Sequence, residues 1–204
     1  MTMSRLWLVR HAPVLAPPGT CYGQLDLAAD SHATAQCAEE LASVLPHALV
    51  LHHSPLQRCE LLALAIQALR PDLALKPDPR LREMDFGRWE GIPWANLPRD
   101  EIDAWAEQLA DVAPGGGEPL AAMLARVAAA LGDAHASVQA SGTDVVWIAH
   151  AGVARCVQWL LGDRARASLA PCAAHWPREA PAPGAWAHYA LRDASSPGGA
   201  AAVR

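Results

Sequence analysis

Two runs of consecutive apolar residues stand out against the mixed pattern of this chain, and each ends in a histidine. One is Leu6-Trp7-Leu8-Val9, closed by Arg10-His11; the other is Val145-Val146-Trp147-Ile148-Ala149, closed by His150. Apolar residues without polar alternation mark a strand covered on both faces, as in a parallel sheet. Ligands of open α/β sheets gather beyond the carboxyl ends of the strands, so two histidines distant in sequence are placed to meet at one site.

Between the runs the period changes to that of helices. A helix is predicted over residues 33–45, stopped by Pro46, and a short strand over 48–51. Ser54-Pro55-Leu56-Gln57 reads as a helix start, with Ser54 as N-cap, Pro55 in the first turn and Gln57 closing a capping box. Cys59, Leu62, Ile66 and Leu69 follow as its buried stripe, which puts Arg58 in the first turn, where the helix dipole favours an anion. Residues 73–75 suggest a third strand, and 77–91 an irregular, charged loop. A helix over 98–112 presents Ile102, Trp105, Leu109 and Val112 on one face, and a long helix then carries Leu120, Leu124, Val127, Leu131 and Val138. After His150, Gly152 opens a helix that buries Val153, Val157, Leu160 and Leu161 and is capped by Gly162. Residues 186–191 alternate as a strand. The expected fold is a three-layer α/β sandwich, its mostly parallel sheet flanked by helices, with a helical insertion near residues 92–118 capping the site. One domain over residues 1–194 and a disordered tail over 195–204 are expected.

Composition narrows the class of partner. The net charge of -5 argues against general nucleic-acid binding but allows a local cationic pocket for a small phosphorylated metabolite. Mean hydropathy is only +0.07, and no apolar stretch has the length of a membrane span, so a cytoplasmic protein with no membrane partner is expected; an oligomer is possible. The five cysteines form no CxxC pair, which favours reduced, mostly buried thiols over a zinc ribbon or disulfide framework. His52 and His53 have no second ligand pair at metal-binding spacing, so they read as a polar loop. Gly115-Gly116-Gly117 lacks the Gly-Lys-Ser/Thr of a P-loop and reads as a turn, and Trp89, Trp94 and Trp105 read as core rather than as base-stacking residues.

Arg10, His11, Arg58 and His150 form the candidate site. Arginine offers a permanently charged fork for phosphoryl oxygens, and a neutral histidine is a nucleophile. The set favours phosphoryl transfer through a phosphohistidine, with a carboxylic acid to protonate the leaving alcohol. Residues 77–91 supply candidates, but spacing does not choose among Glu83, Asp85 and Glu90.

These residues resemble the histidine phosphatase superfamily (phosphoglycerate mutase-like). Leu8-Val9-Arg10-His11 resembles its opening motif, Ser54-Pro55-Leu56-Gln57-Arg58 its second, the stretch from Leu81 to Gly91 its third, and Ala149-His150-Ala151-Gly152 its last, in the family's order. The resemblance implies that His11 is the nucleophile, that Arg10, Arg58 and His150 bind and stabilise the phosphoryl group, and that Glu83 is the general acid and later base. No metal and no cofactor are implied. Glu83 to Gly87, Trp94, Pro98 to Trp105 and Pro114 to Glu118 are similar to α-ribazole phosphatases of cobalamin assembly. The chain lacks the length for the insertions of cofactor-dependent mutases, which favours hydrolysis. Departures are Ala12 and Ala151, where the family usually has glycine, and residues 13–17, where its polar residues are missing, which leaves Gln24 as the candidate substitute phosphate contact. If positions 12 and 151 need φ > 0, the nucleophile's orientation is disturbed. The alternatives are a broad-specificity or phosphoglycerate mutase-like enzyme, and an inactive phosphoester-binding protein.

Overall fold

The computed structural model describes residues 4–163 and 169–191 and the backbone of 202–203. Strands β1 (Arg5–Arg10), β2 (Leu49–His53), β3 (Leu75–Pro77), β4 (Asp144–Ala149), β5 (Trp186–Ala190) and β6 (Ala202–Val203) form one sheet in the order β3-β2-β4-β1-β5-β6. β1 to β4 pair in parallel, and β5 and β6 join antiparallel. The two apolar runs are thus neighbouring strands, with Arg10 opposite Ala149.

Their lack of polar alternation has a direct cause, since each face of the sheet has its own core. Leu6, Leu8, Val145 and Trp147 pack toward α4 (Leu120–Ser141) and α5 (Ala151–Leu161). Trp7, Val9, Val146 and Ile148 pack toward α1 (Ser31–Val44) and α2 (Gln57–Leu69). This is the expected mixed α/β fold with a mostly parallel sheet between helical layers. The insertion supplies α3 (Arg99–Glu107) and two 3₁₀ turns, Trp94–Asn96 and Pro114–Gly116.

Several local readings are corrected. The first helix begins at Ser31 because the Asp30 carboxylate accepts from the Ala33 N–H at 2.7 Å, a cap that hydrophobic periodicity does not reveal. Ser54 is not the N-cap: its Oγ accepts from the Leu56 N–H at 3.3 Å, ahead of the helix, and α2 starts at Gln57, whose N–H donates to the Asp26 carboxylate at 2.8 Å. Leu69 is exposed, not part of the buried stripe. The third strand lies at Leu75–Pro77, and the helix expected to reach residue 112 stops at Glu107. Gly162 sits at the C-cap of α5 but in an extended conformation, φ -82°, so no left-handed cap forms.

The triple glycine has a packing explanation. A Cβ on Gly115 would lie 2.2 Å from the Phe86 carbonyl oxygen, and one on Gly117 2.2 Å from that of Asp85. The glycines let the 114–117 turn press backbone-to-backbone on the loop carrying Glu83. Of the expected disordered tail, Ala202–Val203 pairs with β5 and the remainder lies outside the described residues. No described helix is long and apolar enough to cross a membrane.

Candidate active site

His11 follows β1 and His150 follows β4, and their strands are adjacent, so the imidazole centroids lie 5.2 Å apart. Both are buried. Nδ1 of His11 is 2.7 Å from the Ala12 carbonyl oxygen, and because a carbonyl only accepts, Nδ1 carries the hydrogen. Nε2 is left with a free lone pair. Burial, joined by the charges of Arg58 and Arg10, pulls the His11 pKa down to about 3 even though the Ala12 hydrogen bond opposes the shift. The ring is therefore neutral, in one tautomer, across the physiological range.

His150 is fixed in the opposite sense. Arg58 Nε donates to its Nδ1 at 3.3 Å, so Nε2 holds the hydrogen and donates to Ser54 Oγ at 2.9 Å. Burial first, then the Arg58 charge, holds its pKa well below the usual histidine value.

Arg58 comes from the first turn of α2, as the motif reading placed it, and it is fully buried. Its terminal nitrogens donate to the carbonyls of Leu25 at 2.9 Å and Gly23 at 2.5 Å, and its guanidinium lies 5.4 Å from the centre of the Tyr22 ring. Every one of these partners is neutral. Among the described residues Arg58 enters no ion pair. A buried, permanent charge without a counter-charge is costly, and an anion entering the site relieves it. Arg10 repeats the pattern: one nitrogen donates to the Pro181 carbonyl at 3.1 Å, while its buried Nε has no partner among the described residues.

The three carboxylates left open by spacing separate by contact. Glu83 Oε2 accepts from the Gly152 N–H at 2.9 Å and Oε1 from the Met84 N–H at 3.0 Å, which brings it to the start of α5 beside His150. Asp85 accepts from the Gly87 N–H at 2.7 Å and shapes its own turn. Glu90 is half-buried and accepts from the N–H groups of Gln24, Leu25 and Phe86, joining the 23–25 loop to the 86–90 turn. Of the three, Glu83 alone reaches the histidines' end of the sheet.

Gln24 is half-buried beside the carbonyls that hold Arg58, and its backbone N–H goes to Glu90. Ala151 lies inside α5, where alanine is the most favoured residue, so the concern over a missing glycine does not apply there. Ala12 is fully buried, with its carbonyl engaged by His11.

Two contributors escaped the sequence reading. Ser54 has the local signature of a helix cap, which hides its contact with His150. Arg126 on α4 pairs with Glu118 at 2.7 Å and donates to the carbonyls of Arg80, Arg82 and Glu83, tying the acidic loop to the core; its spacing among alanines gives no signal. Among the described residues no group of three or more His, Cys, Asp or Glu could hold a metal ion. Cys21, Cys37, Cys59 and Cys156 are free and buried, as expected, while Cys172 is free and exposed.

The model of the histidine phosphatase superfamily (branch 1) matches residues 6–173. A solved mycobacterial hydrolase is 28% identical, with a TM-score of 0.74, over 92% of this chain and 82% of that one. Mycobacterial glucosyl-3-phosphoglycerate phosphatase complexed with inorganic phosphate is 27% identical, with a TM-score of 0.73, over 91% and 88%. A protein from Thermus thermophilus is 27% identical, with a TM-score of 0.64, over 90% and 92%. No curated protein matches the chain in sequence.

Proposed function

The chain belongs to branch 1 of the histidine phosphatase superfamily and is a phosphoric monoester hydrolase, and we propose that it works through a phosphohistidine formed on His11. The observation that carries the proposal is the 2.7 Å contact from His11 Nδ1 to the Ala12 carbonyl. It leaves the Nε2 lone pair available for attack on a ring that lies 5.2 Å from His150 and feels the charges of Arg58 and Arg10.

In the first step His11 Nε2 bonds to phosphorus as the ester P–O bond breaks, and protonated Glu83 gives its proton to the departing alkoxide. In the second, Glu83 takes a proton from water, the water oxygen bonds to phosphorus, and the P–N bond breaks to release inorganic phosphate. Arg10 and Arg58 offset the charge of the transferring group, with His150 as donor once the anion has raised its proton affinity and Gln24 as a further contact. The arginines supply the positive charge that other phosphatases take from a metal.

The substrate we assign is α-ribazole 5′-phosphate, or the corresponding cobalamin phosphate, in a cytoplasmic setting. Support comes from residues 83–118, whose likeness to α-ribazole phosphatases includes Trp94, Trp105 and the Pro114 to Glu118 turn. Radiolabelled phosphate should be trapped on wild-type protein as an acid-labile adduct that His11→Ala lacks; tight binding without turnover would make this an inactive binding protein. Turnover of α-ribazole 5′-phosphate should exceed that of glucosyl-3-phosphoglycerate, 3-phosphoglycerate and a simple aryl phosphate. Equal or better turnover of the others removes the cobalamin assignment and leaves a broader phosphatase.

A further inference from the structure

Glu83 and Gly152 face a second feature, a cavity of about 180 Å³. Its other walls include Phe86, Trp105, Leu109, Met123 and Trp176, with the half-buried Arg155 contributing a cation. Pockets for drug-sized ligands run to roughly 300–1,000 Å³, so this one takes a single ring system rather than a whole substrate. Its position relative to the chemistry gives it meaning. Glu83 serves the leaving oxygen, so the body of the released alcohol lies on the Glu83 side of phosphorus.

The walls there are aromatic and aliphatic, which a polyhydroxyl or carboxylate-bearing alcohol would leave poorly matched. One polar group breaks the apolar lining. The Trp105 indole Nε1 is buried and, among the described residues, has no hydrogen-bond partner. Its neighbour Trp89, in the same aromatic cluster, satisfies the equivalent group by donating to Glu101 at 2.7 Å. A buried donor left unpaired is costly, and the ready remedy is an acceptor on a ligand in the cavity that Trp105 lines.

We propose that this cavity is the leaving-group site and that it selects phosphomonoesters whose alcohol carries a planar aromatic heterocycle, with a ring acceptor meeting the Trp105 N–H. Trp105 and Trp176 are then the specificity-determining residues. The inference rests on the reading of Glu83 as the acid and would narrow the substrate class whether or not the alcohol is α-ribazole.

Three esters of alkyl alcohols test it: quinolylmethyl phosphate, its carbocyclic counterpart naphthylmethyl phosphate, and glycerol phosphate. The wild type should favour both ring esters over glycerol phosphate in kcat/KM by at least about tenfold. It should favour quinolylmethyl over naphthylmethyl by about fivefold, the order of one neutral hydrogen bond. In Trp105→Phe, which keeps a ring in place, the quinolyl preference should collapse to unity. In Trp176→Ala the ring preference over glycerol phosphate should fall severalfold. Phosphate release from all three esters without a ring preference overturns the inference and leaves the phosphatase reading standing, as does a quinolyl preference that survives Trp105→Phe. If no ester releases phosphate, the phosphatase reading fails instead. The cavity is then judged by tryptophan fluorescence with quinolylmethanol: quenching that Trp105→Phe weakens supports it, and none overturns it.

Discussion

Gly152→Ala isolates the proposed acid from the rest of the site. The new Cβ would stand 2.1 Å from Glu83 Oε1 and 3.0 Å from its carboxyl carbon. Ordinary non-bonded contact begins at about 3.5 Å, so the oxygen must retreat by about 1.4 Å. Met123 Cε, at 3.1 Å, sits at the end of a flexible side chain and yields. Displacing the carboxylate also breaks its hydrogen bond from the Gly152 N–H. A misplacement of about 1 Å costs on the order of 10²-fold, within the 10²–10⁴ of general acid catalysis. The kcat/KM for an alkyl phosphate, which reports the step that expels the alcohol, should therefore fall by about two orders of magnitude. The kcat/KM for p-nitrophenyl phosphate should fall far less, since that leaving group departs without a proton. Tm should change little, because the helix preference of alanine over glycine, at most about 1 kcal/mol and smaller in the first turn where Gly152 sits, offsets the lost hydrogen bond. Equal losses for both esters at unchanged Tm would refute the reasoning, by showing that the phosphate clamp and not the acid had been disturbed.

Ser54→Ala removes the acceptor for the buried His150 Nε2–H. It should lower Tm by the equivalent of about 1–3 kcal/mol and reduce kcat/KM by about tenfold or more; values within twofold of wild type in both assays would dismiss Ser54 as a positioning residue. The neutral burial of His11 sets a pH dependence of stability. Its folded pKa of about 3 lies below the ordinary 6.5, so the unfolded chain binds more protons between these values and stability falls as pH drops below 6.5. From pH 6.5 to 5 this group alone costs about 2 kcal/mol, and His150 adds in the same direction. Thermal melts should show a steeper acid loss for wild type than for His11→Ala, and identical slopes would contradict the assignment. Inorganic phosphate should raise Tm in wild type through linkage, by about 2.7 kcal/mol at a hundredfold excess over Kd, and much less in Arg58→Ala.

The sheet and the histidine pair were legible because their signals are local. Two strands buried on both faces need uninterrupted apolar residues, and a strand end followed by His11 or His150 fixes where each ring emerges. Arg58 was legible through its motif. What the sequence withheld depends on partners distant along the chain. Ser54-Pro55 satisfies every local rule for a helix start, yet the Asp26 side chain competes for the first turn of α2 and the Ser54 hydroxyl turns to His150, 96 residues away. Spacing could not rank Glu83 above Glu90, because the choice is made by the Gly152 N–H and by the 23–25 loop, which come from opposite ends of the sequence. The aromatic cavity likewise gathers residues from the insertion, α4, α5 and the 176 region, with no period to announce it.

The residues closest to the proposed chemistry, Glu83 apart, share a physical condition: each is positive or neutral. His11 and His150 are pushed toward neutrality by burial, and Arg58 keeps its charge against neutral carbonyls. Glu83 is drawn to the helix N-terminus by backbone donors, and among the described residues it enters no ion pair with Arg58 or Arg10. That separation has a consequence for function. A carboxylate salt-bridged to Arg58 would satisfy the guanidinium permanently and compete with the phosphoryl group. Holding the acid on Gly152 and Met84 instead leaves the buried cation waiting for the substrate's charge. Binding energy at the phosphate then comes from completing an electrostatic arrangement already paid for in folding, the condition under which preorganised charge accelerates phosphoryl transfer.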